Sequence, residues 1–162
     1  MCDMQKMLFL LCVWTVTVYL AVTAIEDYKT CEVTRWKHLI GFVPASIWLV
    51  VNGKANSKAD IAMVLLFVLL FVTIGYAGVY GVADGFVLAN LTILFGGIGG
   101  VTGVGAVILI MIIAGFSFII CHIITCFIKR KRLFKNKASA FVPHILIGYV
   151  IIMLGLWIQS AI

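Results

Sequence analysis

The chain has 162 residues, the size of one domain, with 64% apolar and 11% charged residues and a mean hydropathy of +1.22. A soluble fold of this length needs far more polar surface, so the composition excludes one and reads as an integral membrane protein. The net charge of +6 does not imply a nucleic-acid partner, because the basic residues flank apolar runs, where membrane orientation and anionic lipid headgroups account for them.

Lipid offers the backbone no hydrogen-bond partner, so apolar runs long enough to span are helices. Runs at about 7–26, 38–52, 60–80, 84–100, 101–128 and 139–161 predict an all-α, polytopic bundle of about six transmembrane helices, a single domain over 1–162. Bulky and charged residues follow the first run, so it reads as a retained helix and not a cleaved signal peptide. Asp27 closes that run. The second is short and carries Pro44, which predicts a kink, a tilt or an earlier start near Val33.

Between the third and fourth runs lies Gly81-Val82-Ala83-Asp84-Gly85, a small-residue break with one carboxylate. Asp84 is the only acid after Asp60. An ionisable group inside a membrane costs roughly 2.5 kcal/mol or more, so the reading of Asp84 is functional. The glycine-rich stretch Gly96 to Gly105 then predicts either a tight hairpin or close-packed helix faces. It lacks the Lys-Ser/Thr ending of a phosphate-binding loop.

The connections fix an expected orientation. Lys29, Arg35, Lys37, Lys129, Arg130, Lys131, Arg132, Lys135 and Lys137 fall on one side; Lys6, Lys54 and Lys58 fall on the other. The richer side is cytoplasmic, which puts the N-terminus outside. Asp27 and Asp84 then share the cytoplasmic boundary, with Asp3 and Asp60 on the opposite face.

Two carboxyls that meet cannot both ionise readily and share a proton. One then activates water against a carbonyl while the other donates a proton, which is aspartyl-protease chemistry. The helix macrodipole predicts that Asp27, at a helix C-terminus, holds the proton and Asp84, at an N-terminus, is ionised. Glu26 points about 100° away from Asp27 on a helix and reads as a helix-end charge. No Ser-His-Asp, Cys-His or His-Glu-x-x-His set offers another mechanism. Cys2, Cys12, Cys31, Cys121 and Cys126 are odd in number and scattered, and Cys121, His122 and Cys126 lack structural-metal spacing, so neither disulfide, metal nor cofactor is expected.

The two acidic segments resemble those of the type IV prepilin and archaeal preflagellin peptidases, the GxGD intramembrane aspartyl proteases. Asp27, Lys29 and the aliphatic Val33 match the first motif, with Thr34-Arg35 in place of Pro-Asn. Gly81-Val82-Ala83-Asp84 matches Gly-x-Gly-Asp, with Ala83 for the second glycine and Phe86 where a lysine is usual. Phe141-Val142-Pro143-His144-Ile145-Leu146-Ile147-Gly148 resembles the signature that opens the last helix. The resemblance covers nearly the whole chain and implies a catalytic dyad of Asp27 and Asp84. It implies cleavage of the leader of prepilin-like, Flp/Tad-type substrates at the cytoplasmic face of the plasma membrane, serving type IV pilus assembly or protein secretion. The substrate would enter from the bilayer. The cysteine-rich insertion of the longer, N-methylating members is missing, so no methyltransferase activity is expected. Gly78, Gly81 and Gly85 are expected to let backbone approach an extended substrate, with Lys29 and His144 beside them.

Two other readings stay open from the residues themselves. A small proton-coupled transporter would use the same acids to carry protons, although no internal repeat of the kind such folds carry is evident. A non-catalytic membrane component of a secretion system is the other.

Overall fold

The computed structural model describes residues 3–52, 57–129 and 140–161. Six α-helices make up nearly all of it: α1 Asp3–Thr30, α2 His38–Asn52, α3 Lys58–Tyr76, α4 Val82–Gly99, α5 Val101–Lys129 and α6 Val142–Ala161, with one 3-10 turn, Arg35–Lys37, before α2. Lys54 and the basic residues Arg130, Lys131, Arg132, Lys135 and Lys137 lie outside the described residues.

Local chemistry sets the helix boundaries. α1 stops where Cys31 adopts φ 54° and its N–H donates back to the Asp27 carbonyl at 2.7 Å. α3 opens on a capping box: the Asp60 N–H donates to Ser57 Oγ at 3.1 Å and the Ser57 N–H donates to Asp60 Oδ2 at 3.0 Å. It ends at Tyr76, short of the expected 80, because Gly78 turns at φ 78°. The α4–α5 junction satisfies both readings of its glycines. Gly100 makes a tight turn at φ 55°, while Gly97 seats Trp48, which a Cβ there would meet at 2.6 Å. Asp60 also accepts the Val101 N–H at 3.3 Å, so one carboxylate serves the starts of α3 and α5.

Helix α4 is the centre of the bundle. It packs against α2, α3, α5 and α6, while α1 lies between α2 and α6, and α6 against α5. Protein covers 72% of the α4 span but only 17% of α3 and of α5. A helix apolar all round has no face reserved for water and can be enclosed completely. With lipid as the competing solvent, close fit and interhelical hydrogen bonds supply the attraction. Thr17 and Tyr149 join α1 to α6 through their hydroxyls at 2.9 Å, and Asn52 Nδ2 donates to the Gly97 carbonyl at 2.6 Å.

Among the described residues, four helices are long and apolar enough to cross a membrane: α1, α3, α4 and α5. Helix α2, at 15 residues, rises only about 22 Å against a hydrocarbon core of about 30 Å. The apolar part of α6 is Val142–Ile158. The chain is therefore an all-α membrane protein.

Candidate functional site

One end of the bundle gathers the C-termini of α1 and α3 with the N-termini of α2, α4 and α6, and there the two expected acids converge. Asp27, in the last turn of α1, is 6% exposed; Asp84, the third residue of α4, is 7% exposed. The Asp27 carboxyl is near enough to act electrostatically on Asp84. The sequence separates them by two complete helices, so tertiary packing alone makes them neighbours.

Each carboxyl has a backbone seat. The Gly81 N–H donates to Asp84 Oδ2 at 3.0 Å, within the first turn of α4. The Val142 N–H, the first of α6, donates to Asp27 Oδ2 at 3.0 Å, and the Phe141 backbone adds to it. This corrects the expected asymmetry. Asp27 does end its own helix, but its carboxyl faces the N-terminus of α6, so the dipole argument no longer separates the two acids. His144, one turn into α6, lies near Asp27. Its Nδ1 is 2.9 Å from Ser117 Oγ and its ring meets Phe118 edge-on at 5.4 Å.

Glu26 works beside the pair and not within it. Its carboxylate pairs with Lys37 at 2.9 Å and accepts the Thr34 hydroxyl at 2.6 Å, which folds the α1–α2 connection back over the end of α1. Lys29 is exposed. Gly81 lies against Asp84, where an added Cβ would sit 2.9 Å from Oδ2. Gly78 faces open space at its positive φ. Gly85 is packed between helices. A Cβ there would meet the Phe71 carbonyl at 2.8 Å and Gly75 Cα at 3.4 Å, so it is the point where α4 closes on α3. Gly85 is itself buried and points about 100° away from Asp84, toward α3.

Tyr80 braces the same turn by donating its hydroxyl to the Phe71 carbonyl at 2.8 Å. Burial first, and the Asp84 charge second, push that hydroxyl up to about 12. It stays a donor at any working pH.

Two grooves flank the acids. One, about 370 Å³, runs between the α1–α2 connection and the start of α4 and is lined by Glu32, Arg35, His38, Val82, Ala83 and Phe86 among others. The second, about 380 Å³, lies between α1, α5 and α6 and includes Tyr28, Phe118, His122, Pro143 and His144. Cys31 borders both. Among the described residues, no group of three or more His, Cys, Asp or Glu side chains is placed to hold a metal ion.

Sequence reasoning overlooked a buried polar set deeper in the bundle. Tyr19 Oη lies 2.7 Å from His38 Nδ1, and Asn90 Nδ2 donates to Tyr19 Oη at 3.3 Å and to the His38 carbonyl at 3.1 Å. These bonds join α1, α2 and α4, the elements that carry both acids and the first groove. The signal was available: an asparagine inside an apolar run is costly unless it is bonded.

Comparison with protein-family models, with curated proteins and with solved structures returns no match for this chain.

Proposed function

We propose that this chain is an intramembrane aspartyl endopeptidase with Asp27 and Asp84 as its dyad. The observation that carries the reading is the convergence of two buried carboxyls from distant helices, each seated on a helix N-terminal amide, beside two grooves at one end of a membrane bundle. Coupled carboxyls share a proton. The ionised member takes a proton from water as the water oxygen attacks the scissile carbonyl. The protonated member donates to the developing oxyanion, and the departing amine leaves protonated. Water, a shared proton and an extended backbone are sufficient reactants.

The sequence resemblance supplies the rest of the proposal. The chain crosses the plasma membrane six times with its N-terminus outside, and the acids lie near the cytoplasmic face. Its substrate is a prepilin-like protein whose leader is removed just before a hydrophobic helix. Because a helix buries its own amide bonds, that segment is extended when cleaved, and the grooves on either side of the dyad provide room for it.

The test is incubation of the purified protein in detergent with a prepilin-like peptide, with the products read by mass spectrometry. Cleavage at one bond, lost in Asp27→Asn and in Asp84→Asn while both variants keep the parent melting temperature, is the expected result. Intact peptide beside a working positive control would sink the reading.

A further inference from the structure

The hydrogen bonds around His38 run in only one consistent direction. The His38 carbonyl can only accept, so the NH₂ of Asn90, 3.1 Å away, must face it. The same nitrogen gives its other hydrogen to Tyr19 Oη at 3.3 Å. Tyr19 therefore turns its own hydrogen to His38 Nδ1, 2.7 Å away. With Nδ1 accepting, the neutral ring carries its proton on Nε2.

Neutrality follows from the surroundings. The side chain is 6% exposed, and an unpaired cation at that depth is costly. Glu26, the acid that acts electrostatically on the ring, is already matched by Lys37 at 2.9 Å. The ring plane is held as well, stacked on Phe86 at 5.1 Å and 26°, and Phe86 in turn meets Tyr76 edge-on at 6.2 Å.

His38 also lines the groove beside Gly81, Val82 and Ala83. Its Nδ1 edge is occupied inside the bundle, so the edge bearing Nε2 is the one left for the groove. The groove carries Glu32 and Arg35 as well as Val82, Ala83 and Phe86, and a neutral N–H donor there suits a neutral acceptor. The backbone carbonyl of an extended peptide is such an acceptor, whereas a helical peptide spends its carbonyls internally.

We propose that His38 is a substrate-positioning residue: its Nε2–H, fixed by the Asn90–Tyr19 chain, donates to a backbone carbonyl of an extended peptide lying in the groove beside Asp84. The proposal rests on the endopeptidase reading. It explains how the protein favours an unwound segment over the helix that segment comes from.

The experiment compares parent, His38→Asn and His38→Gln in detergent with the prepilin-like peptide, measuring KM, kcat and melting temperature. An asparagine amide lies near the position of Nδ1 and keeps the bond to Tyr19; a glutamine amide reaches the position of Nε2. H38N should raise KM about tenfold, the loss of one hydrogen bond of about 1.4 kcal/mol, with kcat within about twofold; loss of the ring stacked on Phe86 should lower the melting temperature of both variants. H38Q should recover most of that loss. Nitrogen-15 spectra of the ring, assigned among the three histidines by difference from H38N, should report protonated Nε2 and bare Nδ1. Cleavage by the parent with an unchanged KM in H38N, an equal rise of KM with a matching fall of kcat in both variants, or a ring protonated on Nδ1 overturns this proposal alone. No cleavage by the parent overturns the endopeptidase reading and this proposal with it.

Discussion

Gly85→Ala tests whether the α3–α4 contact sets the position of Asp84. The added Cβ would lie 2.8 Å from the Phe71 carbonyl oxygen and 3.4 Å from both Gly75 Cα and Tyr80 Cε2. The oxygen belongs to the backbone of α3, so it cannot rotate away as a side chain would. The helices must part by several tenths of an ångström, and overpacking of this kind costs about 1–3 kcal/mol. Alanine returns roughly 0.5–1 kcal/mol through its better helix propensity, leaving a net loss of up to about 2.5 kcal/mol. For a chain of this size that is a fall of up to about 10 °C in melting temperature. Gly105→Ala is the control, since a Cβ there meets nothing within 4 Å; only the propensity gain applies. Gly81→Ala is the contrast, because its Cβ would meet Asp84 Oδ2 at 2.9 Å, a side-chain atom that can swing aside. It should melt near the parent and, on the proposed endopeptidase reading, cleave poorly. Scanning fluorimetry in one detergent at one scan rate gives the ranking. If Gly85→Ala melts at or above Gly105→Ala, the claim that α3 and α4 touch through Gly85 is refuted.

Two further outcomes follow from individual bonds. Thr17→Val removes the 2.9 Å bond between α1 and α6 and should destabilise the solubilised protein by about 0.6–1.7 kcal/mol; no change in melting would show the hydroxyl pair to be idle. Tyr80, raised from 10 to about 12 in the folded protein, favours folding while it is protonated. Its contribution is complete below pH 10 and is lost as pH rises through about 12. Tyr80→Phe should therefore flatten the alkaline fall in melting temperature relative to the parent, and an unaltered profile would remove Tyr80 as the cause.

Much of the fold was legible because lipid makes local rules strict. Apolar runs had to be helices, the expected 38–52 coincides with α2, and the Gly-rich turns fall where the runs break. Asp27 and Asp84 stood out because few carboxyls interrupt those runs. The boundaries that missed are set by single turns, such as Gly78 ending α3 at Tyr76.

What the chain could not say by itself is which way each helix faces. Its helices are apolar on every side, so the residue pattern does not distinguish a lipid face from a protein face. Only tertiary packing placed α4 at the centre, turned Gly85 toward Phe71, brought the first amide of α6 to Asp27, and closed Tyr19, His38 and Asn90 into one directed chain. Residue type established that two carboxyls and a histidine were present. Helix rotation and the identity of the neighbours, both non-local, decided what each one touches.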